Sequence, residues 1–381
     1  MRRLSGIEIY NMPRTGKTVA IPITPGKSIL VLTGYNGSGK SRLIAAVMET
    51  LSMIRDHDFP AQAQDWAMKI SFEDGTEAIS VKMDRGTVGN EKIASKMQGL
   101  IGKRFPLEKL YNTAKKFIAN STDKTVHTGG KPPPDGWQKN FGGVSLLNVP
   151  ENIENYPSEL DAVAFIDDKV FFNYERKLEK AVFKADASLD NTLMVLITEF
   201  ISSKAVLGLV TGQLESSVRE IMKEYLSGTQ KHRKGADQED ALDFVRARLD
   251  PDALAVESEP LFSQTEVFTT LNTFFKTTKR ELIWKSNKIC MQLSDGSIVE
   301  WYYCSKGEKA LLALFLTVYL YRDNSIFFLD EPEASLHAEW QKKILPALKE
   351  LAPSAQFIVA THSPFLIMNT EHEQIVNMAK F

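Results

Sequence analysis

The sequence predicts an α/β fold, with helices flanking a parallel sheet, an antiparallel β lobe beside it and a helical subdomain. Three observations lead there. The segment Ser28-Ile-Leu-Val-Leu-Thr33 is apolar without alternation, as in a strand buried on both faces. It runs into the glycine-rich stretch Gly34 to Gly39 and then into a helical pattern, with Leu43, Val47 and Leu51 on one stripe and Ile44 and Met48 beside them. The same rhythm returns near the C-terminus, where Ile326 to Leu329 and Phe357 to Thr361 are short apolar strands separated by a helical segment.

The remaining elements follow in order. Ile7 to Tyr10 and Val19 to Ile23 read as short strands, and Pro25-Gly26 turns the chain into the first buried strand. Met68 to Phe72 and Ala78 to Met83 alternate around Glu73-Asp74-Gly75, which predicts a hairpin with an Asp-Gly turn. Residues 121–143 hold Gly129-Gly130-Lys131-Pro132-Pro133-Pro134 and Gly142-Gly143 with few apolar side chains, a composition that predicts a mobile surface loop. Ala162 to Ile166 is another short strand. Leu189 to Leu226 is helical by pattern, with Gly208 and Gly212 marking a break or close packing. The mixed-charge stretch Lys231 to Asp240 is expected at the surface. Strands at Ile289 to Leu293 and Ile298 to Tyr302 flank Ser294-Asp295-Gly296-Ser297, and an apolar helix spans Ala310 to Tyr321. No internal repeat or sustained heptad is present.

Composition narrows the function classes. The chain has 381 residues, of which 43% are hydrophobic, enough for two or three domains. Lys and Arg number 46 against 48 Asp and Glu, so the net charge of −2 gives no bulk attraction to nucleic acid or anionic membrane. The two cysteines, Cys290 and Cys304, are too few for a disulfide framework and lack metal-ligand spacing, which predicts a reducing, cytoplasmic setting. The N-terminus has no apolar signal core, and the longest nearly apolar run, Ala310 to Tyr321, is shorter than the ~20 residues of a membrane span.

Four motifs carry chemistry. Gly34-Tyr35-Asn36-Gly37-Ser38-Gly39-Lys40-Ser41 fits the phosphate-loop pattern GxxxxGK[ST]. Its glycines let successive N–H groups point at phosphate oxygens; Lys40 brings a charge to the outer phosphates, Ser41 a hydroxyl to Mg²⁺, and the following helix its positive dipole end. A random chain of this length matches about once in a hundred, and here the match also sits between a buried strand and a helix. Residues Asn36, Gly37, Ser38, Gly39, Lys40, Ser41 and Arg42 are therefore the expected nucleotide-binding stretch. The strand Ile326 to Leu329 delivers Asp330-Glu331-Pro332-Glu333 at its C-terminal end, where α/β sheets hold ligands. Asp330 is expected to hold Mg²⁺, directly or through water, and Glu331 to orient and deprotonate the attacking water. Glu333 has two readings, a charge at a helix N-terminus or a catalytic group. Thr361-His362-Ser363-Pro364 closes the last strand; a lone His is usually structural, yet this one can reach the γ-phosphate region. Finally, Cys304-Ser305-Lys306-Gly307-Glu308-Lys309 precedes the apolar helix and makes a second anion site at a helix N-terminus. One chain rarely needs two γ-phosphate sites, so this one is expected to serve a nucleotide held by another subunit. A capping box, Ser305 at the N-cap and Glu308 three residues on, fits the same residues and can coexist.

Together the phosphate loop, SxGEK signature, DEPE pair and THSP switch resemble an ABC-type ATPase of the SMC/RecF branch. The resemblance implies an ABC ATPase head, split between residues 1–165 and 285–381, with a helical subdomain inserted at 166–284. It implies ATP and Mg²⁺ as cofactors, and hydrolysis of the β-γ phosphoanhydride with Glu331, His362 and Lys40 as catalytic residues and Ser41 and Asp330 at the metal. It further implies a head-to-tail homodimer or higher homo-oligomer, in which Ser305, Gly307 and Glu308 of one copy complete the site of the other and Ser335-Leu336-His337 lines the interface. The sequence departs from the family in one respect: where a Gln usually follows the lobe-connecting strand, Ala162 to Ile166 runs into Asp167-Asp168-Lys169. Either Asp serves the metal, or that contact is missing.

Long coiled-coil arms are absent, and the DEPEASLH and THSPFL wording is most similar to small ATPases allied to the overcoming-lysogenization-defect family. The chain ends 19 residues after His362 and is expected to lack that family's C-terminal Toprim nuclease. By resemblance to ATPase subunits of Septu, PARIS and retron-associated modules, the expected role is a sensor that controls a separate effector, a nuclease or toxin, in anti-phage defence, away from any membrane. The alternatives are a RecF-like repair or recombination head that clamps duplex DNA, with phosphate contacts from Lys103-Arg104, Lys115-Lys116 and Lys276 to Arg280, and a slow nucleotide switch that controls assembly.

Overall fold

The computed structural model describes residues 2–12, 16–57, 65–83, 99–101, 103–121, 141–151, 153, 155–174, 188–207, 262–285, 288–323, 325–368 and 374–381. In chain order the strands and helices are β1 (Leu4–Tyr10), β2 (Thr18–Pro22), β3 (Ile29–Thr33), α1 (Lys40–Ile54), β4 (Trp66–Phe72), β5 (Glu77–Met83), α2 (Leu107–Ser121), β6 (Phe141–Leu147), β7 (Asp161–Ile166), β8 (Lys169–Phe172), α3 (Leu189–Leu207) and α4 (Glu266–Phe275). They continue with β9 (Glu281–Lys285), β10 (Lys288–Gln292), β11 (Ile298–Glu300), α5 (Lys306–Tyr321), β12 (Ser325–Asp330), α6 (Ala338–Leu351), β13 (Gln356–Ala360), α7 (Pro364–Ile367) and β14 (Ile375–Asn377). Most of the expected surface loop at 121–143, the Lys231 to Asp240 stretch, and the part of the expected Leu189 to Leu226 helix beyond Leu207, with Gly208 and Gly212, lie outside the described residues.

The apolar strands form a six-stranded sheet of order β14-β3-β13-β12-β7-β8, parallel except for β8, which turns back on β7. The absence of alternation has a direct cause: both faces are covered. Val31, Val163, Phe327, Leu329, Phe357 and Val359 point into a core shared with α3, α4, α5 and α6. Their neighbours Leu30, Leu32, Ala162, Ala164, Ile326, Phe328, Ile358 and Ala360 point into a second core with α1 and the antiparallel lobe. That lobe is a five-stranded sheet of order β2-β1-β4-β5-β6, whose far face carries α2 through Leu107, Leu110, Tyr111 and Ala114. A small sheet of order β11-β10-β9 packs beside α4; β9 has no counterpart in the sequence reading. The central sheet extends past residue 165 through β8, and β9 pairs with β10 across residue 285.

The strands β3, β13 and β12 are neighbours and parallel, with Leu32 beside Ala360 and Ala360 beside Asp330. Strand spacing in a sheet is about 4.8 Å, so the loops leaving all three C-terminal ends meet within one side-chain length. Helix α1 follows the first of these loops and is buried almost all round, between the antiparallel lobe and the central sheet. Its polar positions therefore need internal partners. Thr50 Oγ1 lies 2.9 Å from Ser80 Oγ. Glu49 is ion-paired at 2.7 Å with Lys82 of β5, the two side chains being 9% and 1% exposed.

Removing one member of that pair leaves the other charge buried. Lys82→Met should destabilise the protein by about 3–5 kcal/mol, whereas Lys82→Met with Glu49→Leu should return to within about 1 kcal/mol of wild type or exceed it. Urea unfolding of the two variants checks this.

Candidate functional site

The loop between β3 and α1 takes the shape its glycines allow. Gly34, Gly37 and Gly39 have φ of 142°, 84° and 92°. A Cβ on Gly34 would stand 2.8 Å from Ser38 Oγ and 3.2 Å from the Ala379 backbone N, so no other residue fits there. Gly39 caps α1, and its carbonyl accepts from Leu43 N at 2.9 Å. Tyr35, Asn36 and Gly37 stand exposed at the loop's tip, and Arg42 is exposed on the first turn of the helix.

Lys40 is the centre of the site. Only 4% exposed, it donates through Nζ to Gly34 O at 3.2 Å and Tyr35 O at 3.3 Å, and lies 2.7 Å from His362 Nε2. Burial lowers its pKa below the usual lysine value, against the pull of Glu331, Asp330 and Glu333. Ser41 Oγ donates to Asp330 Oδ1 at 2.9 Å. Burial pushes Asp330 up to about 6, and the like charges of Glu331 and Asp167 add to the shift while Ser41 and Lys40 oppose it. Glu331 sits in the left-handed region, φ 48°, with its N–H donating to Ala360 O at 2.9 Å; its carboxylate is 51% exposed and lies 3.5 Å from His362 Nε2. A non-glycine residue held at positive φ marks a place where surrounding structure overrides local preference, often at a functional site.

Ser41 Oγ and Asp330 Oδ1 are oxygen donors of the kind Mg²⁺ takes. Octahedral Mg²⁺ holds oxygens at 2.0–2.1 Å, which sets adjacent ligands about 2.9 Å apart, the separation seen between these two oxygens. Among the described residues no three His, Cys, Asp or Glu side chains gather to hold a metal, so the rest of such a shell has to come from phosphate oxygens and water.

The signature residues form a second cluster at the start of α5. Ser305 is the N-cap, and the full capping box is present: Ser305 N and Oγ each donate to Glu308 Oε2 at 2.8 Å, and Glu308 N donates to Ser305 Oγ. Glu308 Oε1 also accepts from Arg280 at 2.6 Å, so that arginine, read from the sequence as a phosphate contact, is committed to the signature. Gly307 lies against the loop after β12: a Cβ there would be 2.6 Å from Ser335 O.

Two features were only partly readable. Asp167 and Asp168, with φ of 51° and 61°, form the two-residue turn between β7 and β8, with the positive φ pair that such hairpins require. They point different ways. Asp167 acts on Asp330 through its charge, while Asp168 ion-pairs with Lys306 of the signature at 3.1 Å. Glu333 is not the helix N-terminal charge that one of its two sequence readings expected. α6 begins at Ala338, so Glu333 is not in its first turn; it is buried, and its Oε1 accepts from Thr361, His362 and Ser363.

Fold and site together are those of a P-loop nucleotide-binding protein: a glycine-rich loop, an acidic pair and a histidine at the ends of adjacent parallel strands. A family model described as "AAA domain, putative AbiEii toxin, Type IV TA system" matches residues 197–369. The chain is similar to "Retron Vc95 probable ATPase" of Vibrio cholerae serotype O1 biovar El Tor, at 22% identity over 411 residues that cover 98% of this chain and 73% of that protein. It is 35% identical over 83 residues to "Retron Ec83 probable ATPase" of Escherichia coli, a match covering 19% of this chain and 15% of that one. Among solved structures, the Smc head domain of Pyrococcus furiosus with an extended coiled coil, bound to the C-terminal domain of ScpA, aligns with a TM-score of 0.38 and 16% identity, covering 97% of this chain and 92% of that one. The SMC head domain of Thermotoga maritima aligns with a TM-score of 0.39 and 14% identity, covering 96% and 91%.

The Asp330 shift has a testable sign. Its folded pKa of about 6 lies above the ordinary 3.8, so the native state binds the extra proton and stability falls as pH rises between those values. Asp330→Asn keeps an acceptor for Ser41 without the charge. In chelator and without nucleotide, the variant should be more stable than wild type at pH 8 by on the order of 2 kcal/mol, and the gap should close below about pH 4; denaturant unfolding at both pH values checks this.

Proposed function

We infer that this chain is an ATPase head that binds ATP between two copies arranged head to tail, and that its nucleotide state controls a separate effector protein, a nuclease or toxin, in anti-phage defence. One observation carries the nucleotide chemistry: Lys40, Ser41, Asp330, Glu331 and His362 converge at the ends of β3, β12 and β13. In this reading Lys40 exchanges its carbonyl partners for phosphate oxygens, and the loop backbone from Asn36 to Gly39 cradles them. Glu331 orients a water and accepts its proton, and His362 hydrogen-bonds the transferred phosphoryl. Mg²⁺, when bound at Ser41 and Asp330, supplies positive charge for the developing transition state.

The head-to-tail arrangement draws support from the signature. Ser305 and Glu308 bond to each other, and Glu308 to Arg280, while Gly307 lies against Ser335, and their helix N-terminus suits an anion brought by another copy. The effector reading draws support from the likeness to proteins named as retron ATPases and from a family model whose description names a toxin and a toxin–antitoxin system. No helix among the described residues is long and apolar enough to cross a membrane.

A second reading, an ATP-gated DNA clamp, is favoured by one observation. Lys103, Arg104, Lys109, Lys115 and Lys116 are all exposed on α2 and the loop before it, with Glu108 as the acidic residue among them. That reading expects duplex binding that weakens steeply with salt. The effector reading expects a second protein in fixed ratio when the chain is purified with its genetic neighbours.

Lys40→Ala should abolish ATP binding at concentrations that saturate wild type. Glu331→Gln should keep binding and accumulate an ATP-dependent dimer, read by light scattering. A Glu331→Gln protein that hydrolyses ATP at the wild-type rate would remove Glu331 as the base.

A further inference from the structure

We propose that Glu333 is the positioning residue for His362, holding the imidazole in the cluster through the backbone of its loop. The inference rests on the hydrolase reading above. Glu333 is 8% exposed, and a single oxygen, Oε1, accepts from the Thr361 hydroxyl, from His362 N at 3.1 Å and from Ser363 N at 3.2 Å. Successive N–H groups turned toward one anion are the arrangement by which loops bind phosphate; here the anion belongs to the protein itself. These amides leave the sheet at the end of β13 and precede α7, so Glu333 supplies His362 N with an acceptor that the sheet and the short helix do not, and shares Ser363 N with Thr361 Oγ1, 2.9 Å away.

The geometry explains why the ring stands where it does. His362 Nε2 lies 2.7 Å from Lys40 Nζ and 3.5 Å from Glu331 Oε1. Glu331 and Glu333 share one tight loop, so the same few residues present one carboxylate to the ring and the other to the ring's backbone. Gln341 of α6 adds a second tie: its Oε1 accepts from Ser363 Oγ at 2.6 Å and its Nε2 donates to Leu336 O at 2.9 Å. The loop after β12 and the loop after β13 therefore move together. The other oxygen of Glu333, Oε2, is buried and has no donor among the described residues, so Glu333→Gln removes the charge from the Oε1 position and leaves a neutral carbonyl to accept from the three donors.

The test compares wild type, Glu333→Gln and Thr361→Val, which deletes one donor to the carboxylate and one acceptor of Ser363 N and leaves the carboxylate. ATP turnover is measured against KM, affinity with a fluorescent ATP analogue, melting temperature by calorimetry, and the His362 ring resonances by NMR on histidine-labelled, nucleotide-free protein. Glu333→Gln should lower kcat about tenfold or more, leave KM and analogue affinity nearly unchanged, lower the melting temperature by a few degrees as the buried charged acceptor is lost, and shift the His362 ring resonances; Thr361→Val should move the same quantities less. Unchanged kcat and ring resonances would overturn the proposal. So would losses of kcat and affinity in parallel, which mark a merely structural role. If wild type itself does not turn over ATP, the hydrolase reading fails, and the resonances, read without nucleotide, still decide where Glu333 holds the ring.

Discussion

Burying a lysine ammonium at the end of a parallel sheet is costly unless its surroundings supply acceptors and negative charge. Lys40 meets that condition with two carbonyls of its own loop, the His362 ring and the field of Glu331, Asp330 and Glu333. Each of those groups reaches it because β3, β13 and β12 are adjacent and end level with one another. Those strands stay adjacent because both faces of the sheet are packed, one by α1 and the β lobe, the other by α3 to α6.

The site and the signature are joined within one chain by short, specific contacts. Asp168 ties the turn after β7 to Lys306, while Asp167 in the same turn acts on Asp330. Gly307 leaves room only for the Ser335 carbonyl, and Gln341 fastens the neighbouring Leu336 to Ser363.

Much of this was legible in the sequence, for identifiable reasons. Unalternating strands such as Ile326 to Leu329 announced a doubly covered sheet, and the hairpin around Glu73-Asp74-Gly75 followed from period-two alternation and its turn residues. The phosphate loop was readable because φ requirements restrict its glycines. Other features depend on contacts far apart in the chain. Glu333 reads as one more acidic residue before a helix, and only the return of β13 beside β12 brings three donors to it. Arg280 looked like part of a basic run until α4 and β9 placed it on Glu308. Strand β9 was missed because Glu281, Lys285 and the lysines before it mask its alternation, in which Leu282 and Trp284 face the core.

The central claim is that one chain holds ATP and a second copy completes the site. Phosphate release from ATP by the purified protein, measured as specific activity over a wide range of protein concentration, tests it most directly. The account predicts that specific activity rises with concentration until the two-copy state saturates. Specific activity that is the same at every concentration down to the most dilute measurable would contradict it.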